Sequence, residues 1–254
     1  MSHILLLPPL TAPDQLHSEL RREGFAVLSA GSVRELAGVT ATGLKQLGDD
    51  WRDLAPDRHL KDGGRYRFRR HASFVAQGEG VRAVPHRAHW QPLDYNALHG
   101  GMERWFEPIA AESMARPEWA ALIGWLARTA SSLCGEQPWF TEAHQFRIDT
   151  TDGIGRPTPE GAHRDGVDMV AVFLLSREGI KGGETRVFEL DGPCGQRFTL
   201  SEPWSVLLLD DRRVIHESTP IQPSLEGGSG HRDTLVITLR AGGFLDPEEP
   251  VKQT

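Results

Sequence analysis

Cysteine is nearly missing from this chain of 254 residues: Cys134 and Cys194 are its only two. That excludes a disulfide-built scaffold and a Cys-rich zinc site, and it fits a reducing cytoplasm, where the protein is expected to reside. Long apolar runs are missing as well. The N-terminal run Ile4 to Leu7 is closed by Pro8 and Pro9. It is too short for the apolar region of a secretory signal, and no stretch approaches the ~18 apolar residues of a membrane span. Basic charge is in deficit, with 28 Lys and Arg against 35 Asp and Glu and a formal net charge of −7. Neither nucleic acid nor a membrane is therefore expected as a partner. Repeats and low-complexity tracts are also absent. What remains is the composition of an ordinary folded protein, 39% hydrophobic and 25% charged, which excludes wholesale disorder.

The length suits one large β barrel or sandwich as well as two smaller domains. No linker is visible, so residues 1–254 read as one domain, with a helical part of about 1–138 packed on a β core of about 139–242. Thr11 to Glu23 has Pro13 near its start and Leu16 and Leu20 spaced by four, the pattern of a helix that Gly24 ends. Phe25 to Leu28 reads as a short strand. Ser32 and Glu35 match a capping box, and Val33, Leu36, Ala37, Thr40, Leu44 and Leu47 follow at helical spacing. Trp119, Leu122, Ile123, Leu126, Ala130 and Leu133 predict a second amphipathic helix. From about residue 139 short β-like runs replace helices: Phe140–Asp149, Val167–Leu175, Glu184–Leu190, Gln196–Leu200, Ser205–Asp210, Val214–Ser218 and Thr234–Arg240. Gly153–Gly161 and Gln222–Gly230 read as loops. Many short strands separated by turn residues predict a sandwich or jelly roll.

Within this β region His163-Arg164-Asp165 puts an imidazole and a carboxylate at i and i+2, on one face of an extended chain. Alone the pair means little, because 11 His and 16 Asp would give roughly 0.7 such pairs by chance. A second copy exists, His231-Arg232-Asp233. The first copy is followed 51 residues later by His216; the second has no histidine after it. Two histidines and one carboxylate form the facial set that holds non-haem Fe(II) with positions left open. Arg232 and Thr234 then share a strand face near the end of the β region. An arginine grips a carboxylate through two parallel hydrogen bonds, and a hydroxyl can add a third.

The order His163-x-Asp165, His216, Arg232-x-Thr234 resembles the Fe(II)/2-oxoglutarate-dependent dioxygenases. Gly182-Gly183-Glu184-Thr185 and the run Asp211 to His216 resemble their middle strand and the approach to their distal histidine. More narrowly, His163 to Asp168 with Gly182-Gly183-Glu184 resembles the bacterial group of free amino-acid hydroxylases that includes L-isoleucine 4-hydroxylase. The resemblance implies a mainly β fold with flanking helices, a double-stranded β-helix of jelly-roll, cupin-like form. It implies Fe(II) on His163, Asp165 and His216, and 2-oxoglutarate held at its far carboxylate by Arg232 and Thr234. It also implies an O2-dependent hydroxylation that releases succinate and CO2. The implied substrate is a free aliphatic L-amino acid resembling isoleucine, leucine or methionine. Alternatives are the same chemistry on a peptide-bound residue or natural-product intermediate, and a cupin-like metal-binding or sensor domain without turnover.

A free amino acid brings two charges that need partners. Asp168 is a candidate for the ammonium, provided Gly166 breaks the strand alternation. On the run before the iron motif, His144, Phe146 and Ile148 share one face and Gln145 and Arg147 the other. If the second set faces inward, Arg147 and Gln145 meet the substrate. Arg65, Arg67, Arg69 and Arg70, interleaved with Tyr66 and Phe68, read as an edge strand guarded by charge. Single-stranded nucleic acid, or one arginine reaching a substrate carboxylate, are the other readings.

Overall fold

The computed structural model describes residues 6–96 and 98–247; Ile4 and Leu5 of the N-terminal apolar run lie outside them. A turn of 3-10 helix at Pro13–Gln15 leads into α1 (Leu16–Glu23), which buries Leu16 and Leu20 as their spacing predicts. Gly24 ends α1 at φ +77°, and its N–H bonds back to the Leu20 carbonyl. A Cβ here would stand 2.9 Å from Val214 Cγ1, so glycine meets both the backbone sign and the space.

After β1 (Phe25–Leu28) the expected capping box is displaced. The cap is Ser29, whose hydroxyl accepts from the Ser32 N–H at 3.1 Å, and α2 is Ala30–Ala37. The apolar period from Val33 to Leu47 spans two helices, because Gly38 turns left-handed and Thr40 caps α3 (Ala41–Gly48). Trp51 follows in a 3-10 turn, Asp49–Asp53, and is buried. Its indole N–H points at the carbonyls of Phe146 and Thr234 and fastens this turn to the sheet behind the site.

The first half is less helical than expected. It supplies β2 (Arg67–Gln77), β3 (Gly80–Ala83) and β4 (Glu107–Pro108) before α4 (Ala111–Met114) and the long α5 (Pro117–Cys134). Then come β5 (Trp139–Asp149), β6 (Met169–Glu178), β7 (Ile180–Gly182), β8 (Thr185–Glu189), β9 (Gly195–Phe198), β10 (Val206–Asp210), β11 (Val214–Ser218), β12 (Ile221–Pro223) and β13 (His231–Ala241). β7 and β12 fall where no strand was expected, β12 at the start of the Gln222–Gly230 loop.

The major sheet runs β1-β10-β6-β13-β5-β2-β3, with β4 added to β2. The arginine-rich run is therefore no edge strand: β5 pairs it on one side, and on the other the segment 55–57 bonds to Arg67 and Arg69 and β4 pairs with Arg70. Opposite lie a three-stranded sheet, β11-β8-β9, and the β12-β7 pair. This is a mainly β jelly roll with flanking helices, as the sequence suggests.

Strand alternation sorts the major sheet into two faces. Ala72, Phe74, Ala143, Leu235, Ile237, Phe173 and Leu208 point outward and pack with Leu44, Trp119, Leu122 and Leu126 of the helices. At one end of the inner face Val27, Val170, Leu174, Leu207 and Leu209 meet Val187, Phe198 and Val214 across the sandwich. At the other end the inner face is polar and opens into a cavity. Gly24→Ala should destabilise the fold by about 1–2 kcal/mol, the cost of a left-handed backbone with a side chain. That is a fall of a few degrees in the thermal midpoint; an unchanged midpoint would mean that the α1–β1 joint tolerates a Cβ.

Candidate active site

The cavity lies between the two sheets and is open to solvent. Its floor is built by register. Across β2, β5 and β13 the inward positions form rows: Arg67, Ile148 and Arg232; Arg69, Phe146 and Thr234; His71, His144 and Val236; Ser73, Glu142 and Thr238.

His163, Asp165 and His216 meet on the opposite wall, with a donor atom of each within 4.8 Å of the others. β11 carries His216 inward beside Val214. The segment before β6 pairs with it through two backbone bonds, His163 N–H to the His216 carbonyl at 3.0 Å and His216 N–H to the His163 carbonyl at 2.9 Å. The two rings lie 4.7 Å apart at 42°. His163 Nδ1 donates to the Gly161 carbonyl at 3.0 Å. A carbonyl only accepts, so Nδ1 carries the proton and Nε2 presents a lone pair to the cavity. Burial alone would lower the His163 pKa, but Asp165, Glu160 and this carbonyl outweigh it and raise it. Burial, with repulsion from His163, lowers His216 to about 4, so His216 is neutral at pH 7 and able to ligate. Its Nδ1 is buried without a hydrogen-bond partner among the described residues. A divalent cation fits this donor set: two lone-pair imidazoles and one carboxylate.

Asp165 is held from behind. Gly166 sits at φ +79° and turns the chain. The Asp211 carboxylate accepts from the backbone N–H groups of Asp165, Gly166 and Val167 at 3.0, 2.8 and 3.1 Å. Burial and the charge of Asp165 push Asp211 up to about 7 against those three bonds. From the cavity side Gln91 Nε2 donates to Asp165 Oδ1 at 3.3 Å. Arg232 and Thr234, on β13, line the same cavity. Arg232 is fully buried, is in no ion pair among the described residues, and is lowered to about 10 by burial and by neighbouring Arg177.

The proposed substrate contacts fall elsewhere. Gly166 does break the alternation, yet the Asp168 carboxylate accepts from the Ala241 N–H at 2.8 Å and lies 3.5 Å from Arg212. It closes the end of the sheet and does not line the cavity. Arg147 and Gln145 point away because the His144, Phe146 and Ile148 face of β5 is the inner one. Arg147 donates twice to Asp233 on neighbouring β13, at 2.8 and 2.7 Å. Gln145 is buried in the outer layer.

In their place stand Arg67 and Arg69, for whose run a reach to a substrate carboxylate is one of the readings above, together with Arg104 and a histidine-rich network that the sequence does not single out. Arg67 and Arg69 reach inward from β2, while Arg104, His89 and Gln91 come from the loop before β4. Glu142 accepts from His71 Nε2 at 3.2 Å and His89 Nδ1 at 2.9 Å, and Arg69 donates to His144 Nδ1 at 2.9 Å. His71, His89, Glu142 and His144 crowd together as a second cluster of potential metal ligands. Its geometry is that of a hydrogen-bond network. The His71 and His144 rings are stacked at 16° with centroids 4.7 Å apart. Lone pairs in the planes of two stacked rings run side by side and do not meet on one ion.

Two predictions follow from these placements. Asp168→Ala should lower stability by about 1 kcal/mol, through the lost acceptor of the Ala241 N–H, and leave substrate KM unchanged; a raised KM would return Asp168 to the site. His89 is lowered to about 4 by burial, Arg104 and Arg69 adding to the effect while Glu142 opposes it. The unfolded imidazole titrates near 6.5, so the unfolded chain takes up a proton that the fold refuses. This contribution is complete above pH 6.5 and is lost as pH falls toward 4. Denaturant midpoints at pH 7.5 and 5 should therefore differ, and His89→Gln should narrow the gap; an equal gap in both proteins would show His89 charged in the fold.

A model of the 2OG-Fe dioxygenase family matches residues 48–238. A comparison with curated sequences finds no match. Among solved structures, a bsmA homolog from Methylobium petroleophilum is 51% identical, with a TM-score of 0.90, covering 95% of this chain and 98% of that one. IDO from Bacillus thuringiensis, at 18% identity and TM-score 0.73, covers 96% of this chain and 98% of its own. The Fe(II)/(alpha)ketoglutarate-dependent dioxygenase TqaL, at 19% and 0.68, covers 94% and 91%; these two share the fold. No helix among the described residues is long and apolar enough to cross a membrane. Three quarters of the chain match the family model, and the fold and the His-His-carboxylate cluster accord with it: the chain belongs to the 2OG-Fe dioxygenase family, enzymes that use Fe(II), 2-oxoglutarate and O2.

Proposed function

We propose that the whole chain forms one dioxygenase domain that hydroxylates a free aliphatic L-amino acid in the cytoplasm. His163, Asp165 and His216 would hold the iron, and Arg232 with Thr234 the far carboxylate of 2-oxoglutarate. The observation that carries the assignment is the convergence of those three side chains on a cavity that also contains an unpaired, buried arginine. When bound, iron with 2-oxoglutarate and O2 supplies the oxidising power that places oxygen on an unactivated C–H bond, with succinate and CO2 released.

The protein's own part is positional. Gly161 keeps the His163 tautomer that offers Nε2, Asp211 holds the Asp165 backbone through its N–H, and Gln91 donates to the Asp165 carboxylate. Arg232 approaches from β13 buried and in no ion pair among the described residues, so a dicarboxylate would gain a charge-assisted bond there. A free amino acid suits a cavity that offers charged groups of both signs: Arg67, Arg69 and Arg104, and Glu142 and Glu160.

The test is succinate release from 2-oxoglutarate with Fe(II), in the presence and absence of each of the twenty amino acids. Strong stimulation by an aliphatic one is expected; no stimulation by any would turn attention to a peptide or natural-product substrate. His216→Ala should abolish turnover in a folded protein, and normal turnover would sink the triad. Arg232→Ala should raise the apparent KM for 2-oxoglutarate tenfold or more, the worth of a charged hydrogen bond of roughly 1.5–3 kcal/mol. Fe(II) binding should be nearly unchanged.

A further inference from the structure

Two buried arginines on the floor of the cavity have no salt-bridge partner among the described residues. Arg69 is 5% exposed and Arg104 2% exposed, and neither is in an ion pair among the described residues. Arg69 donates to His144 Nδ1, and Arg104 donates to the Gln91 side-chain oxygen at 2.7 Å. Both acceptors are neutral. The Nε–H groups of Arg69 and Arg104, and the NH2 group of Arg67, are buried with no hydrogen-bond partner among the described residues. Arg67 differs only in having a carboxylate, Asp57, at 2.7 Å. Asp57 and Glu142, and for Arg104 also Glu160, lie near enough to offset part of the charge, but none of them forms a salt bridge with Arg69 or Arg104.

A buried guanidinium with unused donors is expensive unless something negative completes it. These arginines are also held in advance. The Arg69 guanidinium carbon lies 3.8 Å from the Phe106 ring centre and 4.5 Å from that of Phe146, and Arg104 lies 5.9 Å from Phe106. Aromatic faces position a guanidinium while leaving its edge free for an anion. The far carboxylate of 2-oxoglutarate has its own arginine. Arg232 is on β13 and Arg69 on β2, with β5 between them, roughly 10 Å apart at the usual strand spacing.

We propose that Arg69 and Arg104, with the free edge of Arg67, form a carboxylate-binding subsite for the substrate, two strands across the floor from the 2-oxoglutarate grip. It selects for a free carboxylate and against a carboxamide or a peptide-bound residue. The proposal rests on the amino-acid reading above only for its choice of probes.

The experiment uses the Fe(II)- and 2-oxoglutarate-loaded enzyme without oxygen. Affinity is read by thermal shift and calorimetry for three sets of probes: free L-amino acids, their C-terminal amides, and their N-acetyl derivatives. Free acids should bind, with the matching amides at least tenfold weaker. Arg69→Met and Arg104→Gln should each weaken the acid at least tenfold and leave 2-oxoglutarate affinity within about twofold. In unliganded protein Arg69→Met should keep or raise the thermal midpoint, because it removes a buried charge that has no salt bridge. If N-acetyl acids bind and free amino acids do not, the amino-acid reading falls while the subsite stands. Amides that bind as tightly as acids, wild-type affinity in both variants, or no binding from any set would overturn it. So would Arg69→Met weakening 2-oxoglutarate where Arg232→Ala does not. A lowered midpoint in Arg69→Met with carboxylate affinity unchanged would make Arg69 a packing residue and also overturn the subsite.

Discussion

Everything at the site depends on the pairing of β5 with β2 on one side and β13 on the other. Side chains alternate along each strand, so one register decides twelve inward positions at once. A shift of one residue in β5 would send Glu142, His144 and Phe146 into the helix layer and bring Ala143, Gln145 and Arg147 into the cavity. Two features oppose that slip. The outward face is apolar and covered by α5 and its neighbours, so a polar face there would lose burial. The Arg147–Asp233 pair and the Trp51 indole fasten the same register from outside. The polarity of the cavity is thus the complement of the hydrophobic face behind it.

How much of this was legible in the sequence depends on range. His163-x-Asp165 could be read because two side chains on one extended face advertise themselves within three residues. His216 and Arg232-x-Thr234 followed from their order. The β-core strands were visible as apolar runs bounded by turns, and β11 matches its expected bounds, Val214–Ser218. β2 was missed as an interior strand because its inward positions are Arg67, Arg69 and His71, and alternating charge on one face ordinarily signals solvent. The alternation was present, but the polar face points in. The same inversion misplaced Arg147 and Gln145: burial favours Phe146 and Ile148 inside, yet a sequence does not say which inside, the core or the cavity. Asp168 illustrates a third limit. Gly166 was rightly suspected of breaking the alternation, but the carboxylate is claimed by Ala241, 73 residues away, through a backbone donor that has no signature in residue type.

The charge pattern extends the argument. Net charge is negative over the chain, yet the cavity lining holds four arginines, Arg67, Arg69, Arg104 and Arg232, against three carboxylates, Glu142, Glu160 and Asp165. Bulk composition therefore does not describe the charges that a ligand meets inside. The two families of arginine differ in setting: Arg69 is held between aromatic rings, Arg232 beside another arginine. The two proposed carboxylate sites thus differ in setting as well as in position.

The carboxylate of Asp211, bonded to three successive backbone amides, has a further consequence. The turn bearing Asp165 is shaped by the chain's own hydrogen bonds, and His163 is anchored to Gly161 in the same self-sufficient way. The shape of that turn is therefore set by one carboxylate 46 residues further along the chain, and a change at position 211 would reach Asp165 without touching its side chain.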